Sequence, residues 1–354
     1  MNVLIINDYA RLEGGAERFI QNLLLESDPL PLTFHRVNIE ELLSSIGKPT
    51  HQNIWNSRLN RLLLYPEMVN ALLNHIQLLK PDLIHLNTCA LYTRSVLRAL
   101  RLSGIPVACF IHDYYTLRRL NSLWFTRETL SFTFLTHAPD IFDKLRAMGR
   151  NVHLVKVPFH VSRWSGDSHP HSAYQTDLLY VGRIKREKGV FTLIKAIDLI
   201  RHTIPDIHLV LLGDGPSLKA LQREIVRRGL QSHVHIRGRQ SDPELIKYYH
   251  NARLLILPSR LETLGYVGLE AQASGLPVIA FRNPGTIRWC QHEINGFLVD
   301  PLTAENLAKK VTDIIRDDVI LRRISTAARE HIGRGEYNAT NQPITDLYKV
   351  ILAW

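Results

Sequence analysis

The sequence predicts an α/β protein built from two doubly wound, Rossmann-like domains. Three observations carry this. The chain has 354 residues, about twice a common single-domain length of roughly 150. Short apolar runs alternate with longer stretches of helical periodicity along most of it. That pattern stops near the middle, in a segment containing Gly166, Ser168, His169, Pro170 and Ser172, and then starts again.

In the first half the strand candidates are 3–7, 82–86, 107–111, 132–136 and 152–157. Most are continuously apolar rather than alternating, which is how strands covered on both faces read. This implies a parallel sheet with helices on each side. Helical stretches fall at 16–25, 60–79, 92–102 and 141–148. Residues 161–176 lack periodicity and read as a linker. The second half has strand candidates at 178–181, 208–212, 234–237, 254–257, 278–281 and 296–299. Its helical stretches are 189–200, 217–228, 243–251, 264–273 and 304–315. A last helical pattern lies in 337–354, with Pro343 near its start, where a missing N–H is tolerated. It is expected to pack back on the first domain. The expected domains are therefore 1–165 plus 337–354, and 176–336. Ligands of such sheets bind at the carboxyl ends of the strands. Two of them facing across a cleft would place the site in that cleft.

Apolar residues make up 45% and charged residues 21% of the chain, and the net charge is +10. The charge is spread: 18 Lys/Arg against 13 Asp/Glu up to residue 165, and 25 against 20 beyond it. No run of five like charges occurs, which speaks against a nucleic-acid binder. Phosphate-bearing substrates or an anionic membrane surface remain as reasons for the basicity. Cys89, Cys109 and Cys290 are too sparse for a disulfide framework or a zinc site. Cys89 and Cys109 sit in apolar surroundings and read as core. The start, Met1-Asn2-Val3-Leu4-Ile5-Ile6-Asn7-Asp8, has no basic leader, and no apolar run approaches the ~18 residues of a membrane span. A cytoplasmic protein is expected.

Five motifs carry possible chemistry. Gly182-Arg183-Ile184-Lys185-Arg186-Glu187-Lys188-Gly189 follows a strand and opens a helix. Helix N–H groups, the Arg183 fork and the compact charge of Lys188 suit a diphosphate, although a solvated basic loop reads the same way. Glu262-Thr263-Leu264-Gly265-Tyr266-Val267-Gly268-Leu269-Glu270 places one carboxylate at a helix entrance and another two turns on, in an apolar helix. A buried carboxylate needs partners; sugar hydroxyls or an internal Arg would both serve. Gly14-Gly15-Ala16-Glu17-Arg18 opens the first helix but lacks the G-x-G-x-x-G dinucleotide pattern. It is a phosphate cradle or a tight turn. Gly213-Asp214-Gly215-Pro216 reads as a turn. His112-Asp113 ends a strand of the first domain, where a histidine either moves a proton or is a satisfied structural group.

Together these motifs resemble the family 4 retaining glycosyltransferases of GT-B fold. The resemblance rests on the E-x7-E spacing of Glu262 and Glu270, the following Ala-x-Ala-x-Gly-x-Pro-Val, the Gly-Arg…Glu-Lys-Gly block and the intervening Gly-Asp-Gly-Pro. It is strongest from 178 to 300. It implies that Arg183 and Lys188 bind the donor diphosphate and that Glu270 holds the nucleotide ribose. Glu262 would lie near the donor sugar hydroxyls, beside the backbone N–H groups of Leu264, Gly265 and Tyr266. Gly14 and Gly15 match the loop that closes on the phosphates, and His112 the histidine near the donor sugar. Arg237 to Arg239 fall where the base binds, with Arg239 in the donor site. Leu264 stands where the family usually has Phe. Tyr114-Tyr115-Thr116-Leu117-Arg118-Arg119 lacks the cysteines that some polysaccharide-assembling members carry there.

The activity so implied is transfer of a sugar, with retention, from a nucleotide diphosphate sugar to a hydroxyl of a glycan or lipid-linked saccharide. The chain has no Asp-x-Asp triplet, so no metal is expected, and no cofactor beyond the substrate itself. Ser122-Leu123-Trp124-Phe125, with Arg118, Arg119 and Arg127, reads either as a stretch resting on an anionic membrane or as a loop packed on its own domain. The rival readings are a nucleotide-sugar epimerase on the same fold and a non-catalytic nucleotide-sugar-binding protein.

Overall fold

The computed structural model describes residues 1–8, 14–26, 32–47, 64–88, 93–120, 123–166, 176–335, 337–338 and 340–353. The chain divides into two compact units, Met1–Phe159 with Asn338–Trp354, and His160–Tyr337.

In the first unit the described residues form a six-stranded sheet of order β2-β1-β3-β4-β5-β6. The strands are β1 (Asn2–Asn7), β2 (Thr33–Asn38), β3 (Leu83–Leu86), β4 (Val107–Phe110), β5 (Thr133–Thr136) and β6 (Val152–Leu154). All pairs are parallel. The continuously apolar runs are the central strands: Leu4, Ile5, Ile84, Ala108 and Phe134 are fully buried, because helices cover both faces. The helix Gly15–Glu26 contributes Phe19 and Leu23, and the helix Pro66–Leu79 contributes Met68, Leu72 and Ile76 at i, i+4 spacing. The expected helical stretch from residue 60 thus begins at Pro66, and its first residues lie outside the described ones, as does Cys89.

Strand β2 escaped the sequence reading. It is an edge strand with an exposed-to-intermediate pattern over most of its length, so it has no apolar run to find. Also missed were the short helices Ile39–Ser45 and Tyr114–Arg119. Phe125, in the stretch read either as resting on a membrane or as packed on its own domain, lies in the helix Leu123–Glu128 and is buried, as are Leu117 and Leu120. An aromatic that can reach the core goes there, so Phe125 is not a membrane contact. Ser122 lies outside the described residues. The helix Ile344–Leu352 packs in this unit, with Tyr348 hydrogen-bonded to His85 Nδ1.

The second unit has the sheet order β12-β11-β10-β7-β8-β9, again parallel among the described residues. Its strands are β7 (Thr176–Val181), β8 (Leu209–Leu212), β9 (Val234–Gly238), β10 (Ala252–Leu257), β11 (Val278–Phe281) and β12 (Phe297–Val299). The helix Asp318–Gly333, absent from the sequence reading, packs on the helix Tyr266–Ala273: Ser325 Oγ donates to the Gly275 carbonyl at 2.6 Å. The expected linker begins later than 161. Trp164 is fully buried, its carbonyl accepts from Ser274 Oγ at 3.0 Å, and its ring meets Tyr249 edge-on. Burial pushes the thiols of Cys109 and Cys290 up to about 12, so both are inert core groups.

Each sheet has one place where successive strands leave in opposite directions: between β1 and β3 in the first, and between β7 and β10 in the second. Chain segments leaving two such neighbours diverge to opposite faces and leave a crevice at the strand ends.

Candidate functional site

In the second unit, Leu179 of β7 pairs with Leu255 of β10. Parallel neighbours end at the same edge, so the loops after β7 and β10 must meet. These loops are the two strongest sequence motifs. After β7 the chain passes through Gly182 to Ile184, whose side chain is fully buried. Ile184 N donates to Asp214 O at 2.8 Å, and Gly213 N to Gly238 O at 2.7 Å. The Gly213–Gly215 segment is thus a turn bracing the β7 loop by backbone contacts. Residues Arg186–Lys188 form one 3-10 turn, and Gly189 starts the helix Val190–Ile200. Gly189 has φ +74°, and a Cβ there would lie 1.8 Å from the Pro258 carbonyl oxygen. Close approach of the β7 and β10 loops therefore demands glycine at this position.

That approach brings Lys188 to Glu262: Nζ lies 2.7 Å from Oε1, with side chains 33% and 14% exposed. The pair is accessible enough for a charged ligand to compete with it. Arg183 and Lys185 stand in the same cationic cluster. Burial lowers the Lys185 ammonium pKa, and the positive charges of Arg183 and Lys188 lower it further, against an opposing pull from Glu187. A cluster of like charges favours an anion. The Tyr180 hydroxyl donates to the Arg183 carbonyl at 2.9 Å. Burial, and then the nearby Glu262 carboxylate, push its phenol above the ordinary value.

Glu262 is held from behind. Gly285 packs against its backbone, and Gly285 is fixed by Asn283, whose Oδ1 accepts from the N–H groups of Gly285 and Thr286 at 3.1 Å. Arg288 donates to the Thr263 carbonyl at 3.0 Å, and Trp289 Nε1 to the Leu264 carbonyl at 2.7 Å. These contacts aim the start of the helix Tyr266–Ala273, capped by Gly265 at φ +84°, at the same strand edge. Its first N–H groups have no intrahelical acceptor. Gly268, one turn in, has Trp289 so close that a Cβ would lie 2.3 Å from the indole.

Glu270 is a buried carboxylate of the kind that needs partners. It is 2% exposed, and its Oε2 accepts from the Tyr249 hydroxyl at 2.9 Å. Arg239 is exposed in the turn after β9.

In the first unit, Gly14 and Gly15 open the helix Gly15–Glu26, and Gly14 O accepts from Arg18 N at 3.1 Å. His112 follows β4, half-buried, stacked on Phe110 with ring centroids 4.2 Å apart and edge-on to Phe19 at 5.2 Å. Desolvation, then His137 and His85, hold its pKa well below 6.5, so the ring is neutral at pH 7. The structure therefore brings Arg183, Lys188, Glu262, Leu264, Gly265 and Tyr266 to one edge of the second unit. His112, Gly14 and Gly15 lie at one edge of the first.

Three residues beside these were missed. Lys185 lay inside a motif already singled out. Asn87 follows the β3 run Leu83-Ile84-His85-Leu86 and, like Asn7 at the end of β1, carried no local signal to set it apart from other asparagines. Tyr249 carried none, because its hydroxyl contact crosses from another helix.

Residues 167–331 match the family model for glycosyl transferases group 1. The chain is 29% identical over 155 residues to 2-deoxystreptamine N-acetyl-D-glucosaminyltransferase of Niallia circulans, covering 44% of this chain and 40% of that protein. It is 30% identical over 175 residues to alpha-D-kanosaminyltransferase of Streptomyces kanamyceticus, covering 49% and 45%. The chain thus spans less than half the length of these two curated relatives. Among solved structures, Anabaena HepE in complex with UDP and glucose shares 19% identity over 100% of both chains, with a TM-score of 0.74. Sucrose-phosphate synthase from Thermosynechococcus elongatus shares 20% identity over 99% of both, with a TM-score of 0.78. The fold is therefore GT-B, and residues 167–331 of the chain match the group 1 glycosyltransferase family model.

Proposed function

We propose that the protein transfers a sugar from a nucleotide diphosphate sugar to a hydroxyl of a glycan or lipid-linked saccharide, with retention and without a metal. The observation that carries this reading is the Lys188–Glu262 pair, 2.7 Å apart at the switch point of the second sheet, inside a cluster that also holds Arg183 and Lys185. A diphosphate entering there meets cations and helix N–H groups at once. Departure of the diphosphate leaves negative charge on its oxygens, and preorganised positive groups stabilise that charge. Arg183, Lys188 and the first turn of Tyr266–Ala273 take this part, which a divalent metal would otherwise supply.

Glu262 accepts from sugar hydroxyls when the phosphate draws Lys188 away. Glu270, steadied by Tyr249, takes the ribose hydroxyls, and Arg239 lies toward the base. Gly14 and Gly15 serve the phosphates, and His112 the donor sugar. The first unit takes the acceptor. The work is placed in the cytoplasm, with the acceptor presented at an anionic membrane surface. Phe125 has no part in that contact, being core.

A thermal-shift screen against UDP, GDP, ADP and their sugars tests the donor class, because a ligand of the native form raises its stability. Proton NMR of the product from the best donor then reads the anomeric configuration. Stabilisation by a nucleotide sugar and an α-product from an α-donor are expected. Conversion of the donor to an isomeric nucleotide sugar, without acceptor, would indicate an epimerase instead.

A further inference from the structure

In the first unit one side-chain amide ties three elements together. Asn87 follows β3 at the switch point and is 1% exposed. Its Nδ2 donates to Asn7 Oδ1, at the end of β1, at 2.9 Å, and to the carbonyl of Ala16, in the helix Gly15–Glu26, at 3.1 Å. A backbone carbonyl can only accept, so the amide nitrogen must face Ala16 and the amide oxygen must point the other way. Asn7 Oδ1 also accepts from Thr88 Oγ1 at 2.7 Å, and Thr88 Oγ1 in turn accepts from Asp8 N at 2.9 Å. The network therefore has one consistent direction.

The amide oxygen of Asn87 lies 2.6 Å from His112 Nε2. That oxygen carries no hydrogen, so Nε2 must be the protonated ring nitrogen. In a neutral imidazole Nδ1 is then the accepting nitrogen. The ring cannot rotate away from this contact easily, because Phe110 stacks on it and Phe19 meets its edge.

We propose that Asn87 is a positioning residue that fixes His112 as the Nε2–H tautomer and registers the helix start at Gly14-Gly15 against it through Ala16. Nδ1 of the neutral ring can then take a hydrogen bond from a hydroxyl group but cannot give one. His112 would thus read a hydroxyl of the sugar rather than stabilise an oxyanion. This role rests on the assignment of His112 to the donor sugar.

The test uses the full chain labelled with 15N-histidine, and His112→Gln to assign the ring signals. In the wild type, Nε2 of His112 is expected to show a directly bonded proton and Nδ1 the shift of an unprotonated ring nitrogen. Asn87→Ala is expected to populate the Nδ1–H form and to lower kcat about tenfold, the scale of one lost hydrogen bond, with KM for the donor changing less. Asn87→Asp keeps an acceptor toward His112 and is expected to keep the Nε2–H form. A wild-type spectrum with the proton on Nδ1 would overturn the proposal, and that spectrum decides even if Asn87→Ala fails to fold. Unchanged tautomers or an unchanged kcat in a folded Asn87→Ala would overturn it too. Absence of sugar transfer by the wild type, with the Nε2–H form present, would instead remove the glycosyltransferase reading and leave the tautomer assignment standing.

Discussion

The two units place polar groups at the same point of the same kind of sheet and fill it with opposite chemistry. In the second, the crevice between β7 and β10 holds Arg183, Lys185, Lys188 and Glu262, charged and partly open to solvent. In the first, the crevice between β1 and β3 holds neutral groups: Asn7 and Asn87, both buried, and the half-buried His112. Topology sets where a site can form; the side chains set what it can do there. Open charges can hold a charged leaving group. Sealed neutral groups cannot be charged cheaply, so they orient and recognise.

The largest effect should come from the charged crevice. Arg183→Ala or Lys188→Ala is expected to lower turnover at saturating donor by about 100- to 1000-fold, the usual cost of one stabilising group at developing charge. An effect under threefold in both would erase the distinction between the crevices. Glu262→Gln should cost less, roughly tenfold to a hundredfold in kcat/KM, as for a hydrogen bond to a charged group. It should also loosen Lys188, so the double variant with Lys188→Ala is expected to be less than the product of the two, as a double-mutant cycle would read.

The sealed crevice should show itself in acid. Burial lowers the His85 pKa to about 3, and that of His112 also falls well below 6.5. An unfolded histidine takes its proton near 6.5. Below 6.5 the unfolded chain binds more protons than the folded one, so stability falls as pH drops, and for His85 the loss stops near 3. The slope is at most about 1.4 kcal/mol per pH unit for each histidine. Chemical denaturation at pH 7 and pH 5 measures it, and His85→Phe should flatten the difference. Equal stability of the wild type at both pH values would mean these rings are not held neutral. Smallest of all, Tyr249→Phe is expected to cost about 1 kcal/mol of stability and to raise the donor KM. A donor KM identical to wild type would detach Glu270 from the site.

The charged crevice was legible in the sequence because its parts are local. Gly182 to Gly189 and Glu262 to Glu270 are each contiguous, each follows an apolar strand, and each opens a helix. What no spacing could show is that Lys188 pairs with Glu262, since this depends on β10 returning beside β7 with two strands, β8 and β9, between them in the chain. The sealed crevice was less legible. His112 stood out as a polar residue at a strand end, but Asn87, which sets its tautomer, is one asparagine among many. Edge strand β2 and the helix Asp318–Gly333 were missed for a related reason: neither presents the continuous apolar run or flanking turn signals that betrayed the buried elements. Phe125 stayed open between two readings because an aromatic beside arginines reads alike whether it faces solvent or core.

The most direct measurement is a calorimetric titration of UDP and GDP into the wild type, Arg183→Ala and Lys188→Ala, all in EDTA. The account predicts that one nucleoside diphosphate binds the wild type without metal and that each variant weakens it at least about tenfold, as loss of a charge-assisted contact should. Binding that is unchanged in both variants, or that appears only when magnesium is restored, would contradict it.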